Sequence, residues 1–253
     1  MHEALPSQTA VLETVRHALG GRATARFVDW YVHRAGYAVA LVQADERLVV
    51  KTTNELHPVL DERQRAQAQR QLGRAAAQLH TIRFQAFGHV DRAATVQAGH
   101  ATLAAALQER LRRRIRNPTS VELFEEVLRR HADSLTSEAR PVLTHEDLNP
   151  TNVLFELRHG EPVLSGVLDF ESAWSGTGES DLARLELWRV TRGAAVRDGY
   201  TELAALPAAY AQRRPVLQLL WCLEYSERRT STAHQADINA VCAELGVPAP
   251  RFA

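Results

Sequence analysis

The sequence has little of what marks a secreted, membrane-spanning or nucleic-acid-binding chain. Its 253 residues hold two cysteines and one methionine. Cys222 and Cys242 stand in helix-like surroundings at a spacing that fits neither a C-x-x-C redox pair nor a zinc ligand set, so both read as buried thiols. No apolar run approaches the ~18 residues of a membrane span, and the N-terminal MHEALPSQTAVLETVRHALGG lacks a basic stretch followed by an apolar one. The expectation is a cytoplasmic protein with no membrane partner. Thirty basic residues meet thirty acidic ones, so no net field recruits nucleic acid either. A glycine-rich phosphate loop is also missing, since Gly36 stands alone before YAVALVQ. Lysine is the scarcest charged residue: Lys51, at the end of RLVVKT, is the single one, and the other twenty-nine basic residues are arginine. Arginine's wide planar fork does not replace a compact ammonium where a point charge must reach a phosphate, so Lys51 is a candidate phosphate ligand.

What is present is a 45% hydrophobic composition, enough for a sizeable core. Residues 8–19 put Val11, Leu12, Val15 and Leu19 on one helical face. ARFVDWYVHR (25–34), GYAVALVQ (36–43) and RLVVKT (47–52) are rich in β-branched and aromatic residues and predict a small antiparallel sheet. From Pro58 the period becomes helical, with Ala68, Leu72, Ala75, Ala76 and Leu79 recurring. A second stripe follows at Leu103, Leu107, Leu111 and Ile115; Asn117-Pro118 ends it, and Thr119 with Glu122 suggests a capping box for the next helix. Two strands are expected around 152–157 and 163–170, then helices through 181–245. The reading is an α+β chain in two parts, a β layer over 1–57 and a mainly helical body over 58–253 with a hairpin embedded in it. A cleft between two such parts is a natural ligand site.

The stretch LTHEDLNPTNVLFELRHGEPVLSGVLDFESA, residues 143–173, carries the chemistry. It spaces His145-x-Asp147-x-x-x-x-Asn152, and Asp169 follows at the end of an apolar strand. Phosphoryl transfer needs such a set. A carboxylate accepts the proton of an acceptor hydroxyl, while an amide oxygen and a second carboxylate hold Mg²⁺ against the phosphates. Asp147 is then the base, Asn152 and Asp169 are metal ligands, His145 holds the loop in shape, and Lys51 reaches the nucleotide phosphates. An unpaired carboxylate beside Val167 and Leu168 would be costly to bury, and a cation would resolve that cost for Asp169.

These residues resemble the catalytic and metal loops of the aminoglycoside phosphotransferase family, relatives of the protein kinases. LGRAAAQLHTIRFQAFG (72–88), ESDLARLELW (179–188) and DGYTELAALP (198–207) are similar to further segments of that family. The resemblance implies a protein-kinase-like two-lobe fold and an ATP- or GTP-dependent kinase with Mg²⁺. It would act as a monomer on a hydroxyl of a small molecule, such as an aminoglycoside, a cationic peptide or a metabolite. Two departures stand out. The family's glycine beside the catalytic Asp is Glu146, read as a tolerated change. Only Thr52 to Gln71 separate Lys51 from the helix ending LGRAAAQLH, so the N-terminal lobe reads as shortened, with Glu55 and Glu62 as candidate partners for Lys51. That shortening supports an alternative, a non-catalytic kinase-like binding protein with a degenerate nucleotide site.

Other residues have plainer readings. Asp181 is expected to be a helix N-cap, His80 a satisfied buried histidine, and RLRRRIR (110–116) a solvated face. Trp174, Trp188 and Trp221 read as packing aromatics. Glu224 and Glu227 form the acidic pair best suited to a cationic acceptor.

Overall fold

A computed structural model of the chain describes residues 9, 26–34, 37–43, 47–52, 60–91, 93–136, 139–149, 152–187, 194–227 and 231–252. The strands among them are β1 (Arg26–Arg34), β2 (Tyr37–Gln43), β3 (Arg47–Thr52), β4 (Phe87–Val90), β5 (Val96–His100), β6 (Val142–Thr144), β7 (Val153–Arg158), β8 (Glu161–Val167) and β9 (Trp174–Gly176). The helices are α1 (Glu62–Leu79), α2 (Leu103–Arg114), α3 (Pro118–Arg130), α4 (Ala132–Thr136), α5 (Glu179–Leu187), α6 (Ala194–Thr201), α7 (Tyr210–Ser226) and α8 (Thr232–Glu244). None of these helices is long and apolar enough to cross a membrane. The chain divides into two compact units, Met1–Ala68 with Pro150–Leu168, and Gln69–Asn149 with Asp169–Ala253.

In the first unit β1, β2 and β3 form the antiparallel sheet that the β-branched runs predict, in sequential order. The β7–β8 hairpin, expected inside the helical body, groups with this sheet instead. Its two-residue turn, His159-Gly160, has φ of 52° and 79°, the left-handed pair that matches the twist of the flanking strands. The helix expected over 8–19 lies outside the described residues, apart from residue 9.

In the second unit the apolar stripe of α2 is buried as its period requires, with Leu103, Leu107 and Leu111 shielded from solvent. They join one core with Phe124 and Val127 of α3, Leu219 and Leu223 of α7, and Ile238 and Val241 of α8. Thr102 caps α2 by accepting from the Ala105 amide. The capping box foreseen at Thr119 does not form: Pro118 takes the first turn of α3, and Asn117 caps it by accepting from the Ser120 amide. Both cysteines are buried free thiols. A four-stranded antiparallel sheet in the order β5-β4-β9-β6 was not legible in the sequence, because strands of three to five residues offer too few alternations to show a period.

The glycines of LGR and DGY set the contact between α1 and α6. A Cβ on Gly199 would stand 1.9 Å from the Arg70 carbonyl oxygen, and one on Gly73 would stand 2.0 Å from that of Val196. Backbone therefore packs on backbone, and even a methyl group forces the helices apart. Gly199→Ala is expected to lower the unfolding free energy by about 1–3 kcal/mol, read from the denaturant midpoint. An unchanged midpoint would show that the two helices separate at no cost.

Candidate active site

The 145–149 loop leaves β6 at Thr144, which pairs with Trp174 of β9. Only Thr177 and Gly178 separate β9 from α5, so the register of this short ladder brings α5 under the loop. Glu146 turns the loop at φ 64°, a left-handed conformation costing a non-glycine residue roughly 1–2 kcal/mol. At this turn the amides of His145 and Glu146 donate to the two oxygens of one carboxylate, Asp181, at 2.8 and 2.7 Å. Asp181 is 1% exposed and lies inside the first turn of α5. It is thus a buried loop anchor, and the N-cap reading is corrected.

Asp181 Oδ2 also lies 3.1 Å from His80 Nε2, and His80 Nδ1 lies 2.9 Å from the Tyr200 hydroxyl. An ionised carboxylate can only accept, so His80 carries its proton on Nε2 and takes the Tyr200 O–H at Nδ1. Burial, with the charges of Asp181 and Glu179, pushes the Tyr200 hydroxyl up to about 12, which keeps that donor protonated. Gly178 makes room: a Cβ there would stand 2.6 Å from His80 Nδ1. His80 is the satisfied buried histidine that the sequence suggested.

His145, fully buried, accepts the Asp147 amide at Nδ1 (3.2 Å), and its ring packs on Phe170 at 4.5 Å. Asp147 is half-buried, and its Oδ1 accepts from the Asn149 side-chain amide at 2.9 Å. Asp169 sits at φ 65° and leads into a short 3₁₀ turn over Phe170–Ser172. Its side chain is exposed, as is that of Glu171, so the burial cost foreseen for Asp169 is not incurred.

Glu146, the residue in the family's glycine position, points into an ion cluster. Its Oε2 lies 2.8 Å from Arg110 Nη1 and 3.3 Å from Arg184 Nη2. Arg110 also grips Glu224 through Nε and Nη2 at 2.5 and 2.9 Å, and it stacks over Trp174 at 5.0 Å. Burial alone would raise the Glu146 carboxyl, but the Arg110 and Arg184 guanidiniums outweigh it, helped by the Ser180 and Thr144 hydroxyls, and hold it at about 2. Glu224 is likewise lowered: burial opposes, but Arg110 foremost and Arg114 overcome it. The acidic-pair reading is therefore corrected. Glu224 is spent inside the protein, and Glu227 accepts from the Asn117 amide. Arg110 is 2% exposed, which also corrects the solvated-face reading of RLRRRIR for its first member; Arg112 and Arg113 are exposed as expected.

The structure brings His145, Asp147 and Asp181 together in the second unit, which also holds Asp169. Asn152 and Lys51 belong to the first unit. Asn152 is buried beside the hairpin, and its carbonyl accepts from the Leu168 amide at 2.8 Å. Lys51 pairs with Val39 in the β2–β3 ladder, and the course of its side chain lies outside what is described. Of its candidate partners, Glu62 is an exposed residue opening α1 and Glu55 lies outside the described residues. Trp174 is core, Trp221 is half-buried against Tyr225, and Trp188 lies outside the described residues. Sequence reasoning missed Arg110 and Arg184, and the only signal for them was the acid beside Asp147. As donors, Asn152 and Asp169 offer an amide and a carboxylate oxygen, the hard ligands that suit Mg²⁺.

Two outcomes follow from this geometry. Asp181→Ala strips three buried donors of their acceptor and should lower stability by roughly 2–5 kcal/mol, with Asp181→Asn losing less because one oxygen remains. Denaturant unfolding measures both, and equal midpoints for wild type and Asp181→Ala would remove Asp181 as the anchor. The acid limit follows from the lowered carboxyls. A folded value below the ordinary 4.5 contributes stability that is complete above 4.5 and is lost as the pH falls toward about 2. The thermal midpoint should drop across that interval, and Glu146→Gln should flatten the drop.

Comparison with known proteins agrees with the resemblance of the motifs. A family model described as the phosphotransferase enzyme family matches residues 5–216. A protein provisionally named fructosamine-3-kinase, from Thermobifida fusca YX-ER1, aligns at TM-score 0.59 and 20% identity over 95% of this chain and 100% of that one. A macrolide 2'-phosphotransferase type I aligns at TM-score 0.48 and 14% identity, covering 98% and 100%. Macrolide 2'-phosphotransferase MphH from Brachybacterium faecium aligns at 0.43 and 16%, covering 96% and 100%. No curated protein matches by sequence. The Thermobifida likeness identifies the fold as kinase-like, an α+β architecture of two lobes, and on the family match the chain belongs to the phosphotransferase enzyme family.

Proposed function

We propose that the protein is a small-molecule kinase that moves the terminal phosphoryl group of ATP or GTP to an acceptor hydroxyl, working as a monomer on neither nucleic acid nor membrane. The observation that carries this reading is the loop of Asp147, whose three consecutive residues 145–147 each have their amide fixed, by Asp181 or by His145. A half-buried carboxylate on a pinned loop suits a general base, which must stand within hydrogen-bond reach of the proton it takes. The acceptor O–H gives its proton to Asp147, its oxygen bonds to the terminal phosphorus, and the bond to the bridging oxygen breaks to leave the nucleoside diphosphate. Asn152 and Asp169 would hold Mg²⁺, which supplies charge neutralisation at the phosphates, and Lys51 would bind a phosphate oxygen.

The charge pattern favours a neutral, polyhydroxylated acceptor of the sugar class over a polycationic aminoglycoside. Glu179 pairs with Arg213, Glu186 with Arg197, Asp198 and Glu202 with Arg70, and Glu224 with Arg110. Asp181 is held by the loop, and Glu227 by a backbone amide. Among the described acids of 170–230, Glu171, Asp198, Glu202 and Glu227 are exposed; Asp198 and Glu202 pair with Arg70, Glu227 accepts from the Asn117 amide, and Glu171 stands near Asp169, where the metal would compete for it. The name of the Thermobifida relative, fructosamine-3-kinase, supports the polyhydroxylated, sugar-class part of this reading.

The test is a thermal shift with ATP and with GTP, with and without Mg²⁺, followed by a panel of a fructosamine, a macrolide and an aminoglycoside. A nucleotide at about 100 times its Kd should stabilise the fold by roughly 2.7 kcal/mol, and Asp169→Ala should lose the Mg²⁺-dependent part. Asp147→Asn should keep the nucleotide shift and lose turnover by ~10²-fold or more. A wild type that shifts with neither nucleotide would point to the non-catalytic binding protein instead.

A further inference from the structure

We propose that Glu146 is a positioning residue for the phosphoryl-transfer site: its carboxylate, locked between Arg110 of α2 and Arg184 of α5, fixes where the adjacent Asp147 carboxylate stands. The inference rests on Asp147 being the base, and it makes Glu146 more than a tolerated replacement of the family's glycine.

Three observations carry it. The first is mechanical. Asp181 holds the loop by the amides of His145 and Glu146, both on one side of the turn. The Asp147 amide bonds to His145 within the same loop, and that bond turns with the loop rather than tying it to another element. The Glu146 side chain adds a tether to α2 and α5 on the residue bonded directly to Asp147, which limits rotation of the loop about its bonds to Asp181. The second is the rigidity of the socket. Arg110 spends its Nε and Nη2 on Glu224 of α7 and lies against Trp174, so the Nη1 offered to Glu146 is aimed by contacts that do not involve the loop. Arg184 lies over the Trp221 ring at 5.5 Å, with its Nη2 3.9 Å from Glu224. The third is charge. Arg110, Arg114 and Arg184 face only two carboxylates within the cluster, Glu146 and Glu224. The Asp147 carboxylate adds a weaker attraction on Arg184, after those of Glu146 and Glu224. A glycine at 146 takes the same left-handed backbone without strain but has nothing to place in this socket.

The experiment compares wild type with Glu146→Gly, Glu146→Gln and the double variant Glu146→Gly/Arg110→Met, which removes both ends of the Glu146–Arg110 pair and so leaves less uncompensated buried charge than Glu146→Gly alone. Two readouts are taken well below each variant's thermal midpoint: steady-state nucleotide turnover, with water or the identified hydroxyl as acceptor, and amide hydrogen exchange of the peptide covering 143–149. A positioning role predicts that kcat falls about 10- to 100-fold in the glycine variants while the nucleotide KM stays within about twofold, with Glu146→Gln in between. Exchange should quicken in 143–149 and nowhere else. Wild-type kcat per folded molecule in either glycine variant would overturn the proposal, because a purely structural residue changes the midpoint and not the turnover. Failure of all three variants to fold would also overturn it, by making the cluster a folding element. Should wild type turn over no nucleotide, the phosphotransfer reading fails separately. The exchange arm then still decides, since unchanged exchange in 143–149 would show that Glu146 does not hold the loop.

Discussion

Two backbone N–H groups, those of His145 and Glu146, are buried at a turn that no strand or helix pairs, and a single carboxylate takes both. A buried amide without an acceptor costs about as much as a lost hydrogen bond, so the loop can exist only where Asp181 meets it. That requirement propagates outward. The β6–β9 ladder must hold its register so that α5 starts beneath the loop, and Gly178 must lack a side chain so that His80 can approach. Tyr200 must be near enough to fix the His80 tautomer. Gly199, its neighbour in DGY, must let α6 close on α1 for that hydroxyl to arrive.

Charge in the second unit is used internally. Buried ion pairs are weak evidence of stability, because desolvation offsets most of the attraction. What they supply here is direction. Arg110 divides its planar donors between Glu224 and Glu146, and a lysine could not serve two carboxylates at fixed angles from one buried stem. Arg213, wholly buried, holds Glu179 at 2.7 and 2.8 Å in the same manner. A chain with twenty-nine arginines and one lysine is consistent with this use.

Legibility tracked the length of each periodic signal. β1, β2 and β3 stand within a residue of the β-branched runs that predicted them, and the α2 stripe is buried as written. The spacing of His145, Asp147 and Asn152 and the later Asp169 was visible because turn chemistry does not need that set together. The four-stranded sheet was not visible, since β6 and β9 have three residues each. Asp181 was read as a cap because an acid in a helix's first turn has a local explanation, and its actual partners lie thirty-five and thirty-six residues away. Arg110 failed for a similar reason: five arginines within seven residues look like a wetted face, and only the position of Glu146 and Glu224 shows that the first of them turns inward.

The sequence by itself determined the strand and helix periods, the core stripes and the chemical identity of the groups around residues 145–169, because each depends on spacing along one short segment. Tertiary structure alone decided which charges are exposed and which are spent. It left Asp169 in solvent, buried Glu224 against Arg110, and made Glu146 a tether and Asp181 an anchor. The fate of a charge depends on what the rest of the chain places opposite it, and those partners come from β6, α2, α5 and α7, segments far apart in sequence that meet only in the folded unit.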